Sequence, residues 1–154
     1  MKKLRLSQGR SALMDDEDYP RVSGYAWWAC QNPRSCAVRG WVDGREIYLH
    51  RFILDAPRNM QVDHINGDAL DNRRCNIRIC TVRENHCNVR KTVRDTTSRH
   101  KGVCRYLKGT WQAGIKVNGK RINLGHFDDE IDAARAYDRA ALIHFGEFAR
   151  INGA

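Results

Sequence analysis

The chain has 154 residues, room for one domain or two small ones, and 42% hydrophobic residues allow only a modest core. No apolar run approaches the ~18 residues of a membrane helix, and the basic start MKKLRLSQGR is not followed by the apolar centre of a signal peptide, so a cytoplasmic protein is expected. The net charge of +9 is equalled by one segment: Arg73–Lys108 holds eleven Lys/Arg against two acids, Glu84 and Asp95, which points to a polyanionic partner.

Residues 1–48 read as a small β-rich unit. Lys2–Leu6 and Ser11–Met14 flank the turn Ser7-Gln8-Gly9-Arg10 as a hairpin, and Asp15-Asp16-Glu17-Asp18 is expected to cap a short helix reaching Val22. Tyr25–Cys30 and Ala37–Val42 look like strands separated by Asn32-Pro33-Arg34-Ser35. Asp43-Gly44 is a hairpin turn leading to a returning strand, Glu46–Leu49. Trp27, Trp28 and Trp41 are expected to pack a core. Six cysteines (Cys30, Cys36, Cys75, Cys80, Cys87 and Cys104) lack Cys-x-x-Cys spacing and read as free, mostly buried thiols rather than a zinc cage.

His50–Leu54 begins a short helix that stops near Pro57. His50 faces the site that follows or fills an interface; the sequence leaves both open. Gln61–Asn88, QVDHINGDALDNRRCNIRICTVRENHCN, brings together a carboxylate, Asp63, an imidazole, His64, and two carboxamides, Asn76 and Asn85. Such a set can build a small site for a hard divalent cation, with a histidine beside it to deprotonate a water that attacks a phosphodiester. Gln61–His64 and Cys75–Arg78 are expected as the arms of a hairpin. Thr81 and Glu84 form a capping box opening a helix from about Val82 to Val89.

From Leu49 to Lys91 this stretch resembles the HNH nuclease motif of phage and intron homing endonucleases. His50-Arg51, Val62-Asp63-His64-Ile65-Asn66-Gly67, Leu70-Asp71-Asn72, Asn76-Ile77-Arg78 and Glu84-Asn85 match in order. The resemblance implies a ββα-metal module over 49–90 that cleaves DNA phosphodiester bonds. It makes His64 the general base, Asp63 and Asn85 the metal ligands, and Asn76 the residue that orients His64 and braces the hairpin. His86 and Asn88 are alternative ligands. The implied cofactor is Mg2+ or Mn2+, with no small-molecule coenzyme.

Residues 91–97 read as a basic linker. Beyond it, Gly102–Tyr106, Thr110–Val117 and Lys120–Leu124 are three short strands, with Asn118-Gly119 as a two-residue hairpin turn. Asp129–Phe145 is an amphipathic helix with Ile131, Ala134, Tyr137, Ala141 and Leu142 on one face, ended by Gly146. The strings Lys101-Gly102-Val103, Trp111-Gln112-Ala113, Leu124-Gly125-His126-Phe127 and Ala133–Ala141 are similar to the APETALA/ethylene-response-factor DNA-binding domain, whose sheet enters the major groove of double-stranded DNA. That resemblance covers 98–154. By position it implies Lys101, Lys116, Arg121 and Tyr137 as DNA contacts, with Arg105 and Lys108 as compensating phosphate contacts. Trp111 is expected in the core. Gly114 stands where the plant family has Glu, so the plant target sequence is not inherited.

The expected whole is an α+β protein in which a metal-dependent HNH endonuclease is targeted by a C-terminal sheet, with double-stranded DNA as partner and no membrane. The alternative is a non-catalytic, sequence-specific DNA-binding or transcription-regulating protein that keeps the nuclease hairpin as a scaffold.

Overall fold

The computed structural model describes residues 1–7, 9–30, 37–91 and 97–153, apart from the side chain of Lys108. The Asn32–Ser35 turn, Cys36 and most of the linker lie outside those residues. The architecture is α+β, in two compact units, 1–85 and 86–154, and the described residues form four small antiparallel sheets and few helices. No helix among the described residues is long and apolar enough to cross a membrane.

In the first unit, β1 (Lys2–Arg5) pairs with β2 (Ser11–Met14). After the single turn α1 (Tyr19–Val22), β3 (Trp27–Ala29), β4 (Val38–Val42) and β5 (Arg45–Tyr48) form a sheet in that order. Asp43 and Gly44 turn between β4 and β5 with φ of 48° and 75°, the left-handed pair a two-residue hairpin demands. Next come α2 (Leu49–Ile53) and the hairpin β6 (Gln61–His64)–β7 (Ile77–Cys80). Leu4, Met14, Val22, Trp27, Leu49, Ile53, Val62 and Ile77 belong to one core. The opening β-rich residues and the nuclease hairpin therefore bury each other's apolar faces, something a two-stranded ribbon cannot do alone.

Local departures from the sequence reading have plain causes. β7 begins at Ile77 rather than Cys75, because Asn76 and Ile77 both donate their N–H to the Arg73 carbonyl and close a turn first. Of the three tryptophans expected in the core, Trp27 is buried, with its Nε1 donating to the Val22 carbonyl at 2.9 Å. Trp28 is half-buried and Trp41 is 59% exposed, because the period of two along β4 turns Val38 and Gly40 inward and Trp41 outward. Gly40 is required where it is: a Cβ there would stand 2.6 Å from the Trp27 ring. The acid run does not cap α1 through its side chains. Instead Asp18, buried, takes both Nε and Nη2 of Arg74 at 2.9 and 2.7 Å, and Asp15 accepts the Arg74 backbone N–H at 2.7 Å.

α3 (Val82–Asn88) opens with the capping box: Thr81 N–H donates to Glu84 Oε2 at 2.7 Å and Glu84 N–H to Thr81 Oγ1 at 3.2 Å.

In the second unit, β8 (Val103–Arg105), β9 (Trp111–Val117) and β10 (Lys120–Phe127) form an antiparallel sheet in the order β10-β9-β8. Asn118 and Gly119 make the turn at φ 52° and 79°. β10 runs three residues past Leu124 because a bulge between Asn123 and Gly125 resets the register and lets pairing continue to Phe127. α4 (Glu130–Phe145) covers one face, and Asp129 caps it by accepting from Ile131 N–H at 2.7 Å and Asp132 N–H at 3.2 Å. Val103, Ala113 and Ile115 of the sheet and Ala134, Tyr137 and Ala141 of α4 are buried between the two, and Trp111 packs against that core as expected. Leu142, expected on the buried face, is 54% exposed, since the contact surface is carried by small alanines closer to the sheet. Asp138 and Lys101 tie down the chain end through Asn152, whose N–H and Nδ2 donate to Asp138 Oδ1 and whose Oδ1 accepts from Lys101 N–H at 2.6 Å.

Candidate active site

The β6–β7 hairpin and its loop build the site. Antiparallel register places Asp63 opposite Arg78 and His64 opposite Ile77. Arg78 grips one carboxylate oxygen of Asp63 with Nε at 3.1 Å and Nη2 at 2.9 Å, and both side chains are nearly buried (12% and 7% exposed). The pair fixes where the Asp63 carboxylate points. Gln61 shares its side of the strand by alternation, and Gln61 Oε1 accepts from Asn85 Nδ2 at 2.6 Å. Asn85 thus lies midway along α3 against the same strand as Asp63. His86 is exposed and Asn88 buried.

The loop from Ile65 to Asn76 is a lattice of carboxamides and carboxylates with Asn76 at its centre. Asn76 Oδ1 accepts from Asn66 N–H at 3.0 Å, and its Nδ2 donates to Asn66 Oδ1 at 3.1 Å and to the Asp71 carbonyl at 2.7 Å. Asp71 in turn holds Arg73 through both its oxygens, at 2.7 and 2.6 Å. Those bonds close the loop onto itself.

The carboxamide that meets the histidine is Asn72, to which the sequence reading gave no role beyond its place in the string Leu70-Asp71-Asn72. Asn72, completely buried, presents Oδ1 3.3 Å from His64 Nε2, while its Nδ2 donates to the Ala69 carbonyl at 3.2 Å. A carbonyl oxygen can only accept, so this contact calls for a proton on Nε2, which in the neutral imidazole puts the lone pair on Nδ1. The signal that could have singled out Asn72 is its place beside Asp71 in a polar loop that the hairpin folds back over His64. His50 packs edge-on against the His64 ring, with centroids 5.0 Å apart, which joins both of the roles left open for it. Burial pushes the His64 imidazole below its usual 6.5, against the opposing pull of the Asn72 hydrogen bond and of Asp63.

The carboxylate of Asp63 and the carboxamide oxygen of Asn85 are donor types that hard divalent cations take. No group of three or more His, Cys, Asp or Glu with metal-holding geometry occurs among the described residues. The described cysteines are free thiols, of which Cys80 is buried and Cys75 exposed.

In the second unit the face of the sheet away from α4 carries Gln112, Gly114 and Lys116 from β9 and Arg121, Asn123 and His126 from β10. Lys116 and Arg121 are direct cross-strand partners. Arg121 lies across Gly114, where any Cβ would stand 3.3 Å from its Nε. A cavity of about 510 Å³ opens beside them, lined by Lys91, Thr97, Lys116 and Arg121 among others. Arg105 is exposed and stacks 5.9 Å from the Trp111 ring. Two expected DNA contacts sit elsewhere. Lys101 Nζ donates to the carbonyls of Cys87 and Val89 at 2.6 and 2.8 Å, and Tyr137 is 3% exposed in the core, where its ring fills the space a Cβ at Gly102 would need. The side chain of Lys108 lies outside the described residues.

Residues 55–87 match the family model of the HNH endonuclease domain. Over 94% of its length the chain is 29% identical to an uncharacterized HNH endonuclease of Acanthamoeba polyphaga mimivirus, of which it covers 76%. A 68-residue stretch, 41% of the chain, is 40% identical to an AP2-like ethylene-responsive transcription factor of Arabidopsis thaliana, and a 64-residue stretch is 44% identical to an APETALA2-like protein of rice. The chain spans only 16% and 15% of those plant proteins. The hairpin that presents Asp63 and His64 and the helix that presents Asn85 are thus an HNH endonuclease domain, in a chain homologous to a viral HNH endonuclease and similar in part to the AP2-type DNA-binding domains of plants.

Proposed function

We propose that the chain is a metal-dependent DNA endonuclease of the homing type, which hydrolyses phosphodiester bonds in double-stranded DNA and is brought to its target by the sheet of its second unit. The observation that carries this reading is the His64–Asn72 contact, because Asn72 Oδ1 occupies Nε2 of an imidazole that burial keeps neutral, on the same strand as Asp63. His64 Nδ1 takes the proton of the attacking water as general base. Asn72 keeps the imidazole in the right tautomer, and Asn76 holds closed the loop that carries Asn72. Asp63 and Asn85 hold the divalent cation, and Arg78 keeps the Asp63 carboxylate in place. When bound, the cation supplies charge neutralisation at the scissile phosphate and at the departing oxygen.

Lys116 and Arg121 on the open face of the sheet, with Arg105 at its edge, contact DNA. The surplus of basic residues between Arg73 and Lys108 adds sequence-independent attraction. Lys101 and Tyr137 serve that surface indirectly, as a carbonyl-binding ammonium and a core ring.

The test is nicking of supercoiled plasmid with Mg2+ or Mn2+, with EDTA, and with His64→Ala. Metal-dependent nicking that the Ala variant loses while still binding DNA is the expected result; nicking by His64→Ala at the wild-type rate would remove the base assignment. The similarity to plant transcription factors supports a second reading, a non-catalytic DNA-binding regulator. Tight DNA binding without nicking under either metal would favour it.

A further inference from the structure

The described residues contain two buried side-chain nitrogens with no hydrogen-bond partner, His50 Nδ1 and Arg39 Nε. Both belong to one stack of side chains that ends on the proposed base. Arg39 lies over the Tyr48 ring, its Cζ 4.6 Å from the centroid, and it donates from Nη2 to Tyr48 Oη at 2.6 Å and from Nη1 to Glu46 at 3.2 Å. Tyr48 stacks on His50 with centroids 5.4 Å apart and an interplanar angle of 23°. His50 meets His64 edge-on, at 5.0 Å and 83°. Register pairs Arg39 directly with Tyr48, and Leu49, fully buried between Tyr48 and His50, anchors the backbone that carries both rings.

From this we infer that His50 is a positioning residue for His64: its ring, backed by Tyr48 and Arg39, sets the tilt of the proposed base while the Asn72 hydrogen bond sets its tautomer and in-plane direction. The His50 ring, at 83° to the His64 ring, stands in the way of rotation of the imidazole about the Nε2–Asn72 line. The orphaned Nδ1 shows what fixes His50 itself. A buried polar atom without a partner is unfavourable, so ring contacts, not a hydrogen bond, determine its place. Burial also keeps His50 uncharged, pushed down to about 3, so it stands beside His64 as a neutral ring and adds no charge to oppose proton uptake.

The inference rests on the nuclease reading, so the experiment carries its own control. Nicking by the full chain is measured in Mg2+ for wild type, His64→Ala, His50→Ala, His50→Phe and Tyr48→Leu, with Tm for each. The expected result is a tenfold or greater loss of kcat in His50→Ala with KM within twofold. His50→Phe should keep kcat within about threefold and raise Tm, because it retains the ring and removes the orphan. Tyr48→Leu, which does not touch His64, should lose kcat in the same direction but less. NMR of the imidazole nitrogens adds a readout that needs no activity: His64 should give one sharp set of signals in wild type and His50→Phe, and broadened or multiple sets in His50→Ala. A folded His50→Ala that retains kcat and a single His64 signal set overturns the inference, as does a His50→Phe as inactive as His50→Ala. Wild-type protein that does not nick overturns the nuclease reading instead, and the NMR comparison then decides the positioning role alone.

Discussion

Removal of Arg78 tests both the stability of the hairpin and the metal assignment. Arg78→Met keeps the length of the side chain and deletes the charge that faces Asp63. In the folded protein the Asp63 side chain is 7% exposed and accepts two N–H groups from a guanidinium that is itself 12% exposed. Loss of one charged partner from a buried ion pair leaves the other charge desolvated without its counter-ion, at a cost of about 3–5 kcal/mol. Urea denaturation at pH 7 in EDTA should show that loss, and Asp63→Asn added to Arg78→Met should restore a large part of it, since the stranded charge is gone. A divalent cation bound by Asp63 provides a second route to compensation: at a concentration one hundred times its dissociation constant it should return about 2.7 kcal/mol to Arg78→Met. Asp63→Asn should abolish that rescue. A destabilisation below about 1 kcal/mol would show that the pair is solvated, contrary to its geometry. Equal stabilisation by Mg2+ with and without the Asp63 carboxylate would remove Asp63 from the metal site.

The remaining predictions concern pH, backbone and DNA. His64 is held below 6.5 by burial, so the free base persists as pH falls and the acid limb of the nicking rate should lie below 6.5, in a profile measured at saturating metal. His50 titrates near 3 when folded and near 6.5 when unfolded; its contribution to stability is complete above 6.5 and falls as pH drops towards 3, by up to about 1.4 kcal/mol per pH unit, a slope that His50→Phe should remove from urea titrations. Gly102→Ala should unfold the second unit or lower its Tm steeply, because φ there is +76° and the added methyl runs into the Tyr137 ring; a Tm unchanged by the substitution would contradict the close approach. Arg121→Ala should weaken binding to a preferred duplex by roughly 1–3 kcal/mol if it reads a base edge, and equally on all duplexes if it touches only phosphate, with competition binding on mixed-sequence DNA separating the two.

Much of this protein is local, and local features are legible in a sequence. Asp43-Gly44 and Asn118-Gly119 name their turns because few residues tolerate the left-handed φ those turns need. Thr81 and Glu84 cap α3, and Asp129 caps α4, through atoms two or three residues apart. The order of Asp63, His64, Asn76 and Asn85 likewise marks the nuclease motif before any coordinate is known. What lies between distant residues was decided by tertiary packing. The acid run at Asp15–Asp18 reads locally as a cap, yet Arg74 claims it, since a nearly buried carboxylate gains more from a bidentate guanidinium than from exposed N–H groups. Trp41 faces outward and Leu142 stays exposed because strand pleat and helix–sheet packing, not hydrophobicity, assign faces. Tyr137 belongs to the core because Gly102, having no Cβ, leaves room for its ring. Asn72 and His50 lie in the same motif as His64, but that they touch its ring is not written in their spacing. One arrives through the closed loop and the other from α2, and both depend on a core that joins the opening strands to the hairpin.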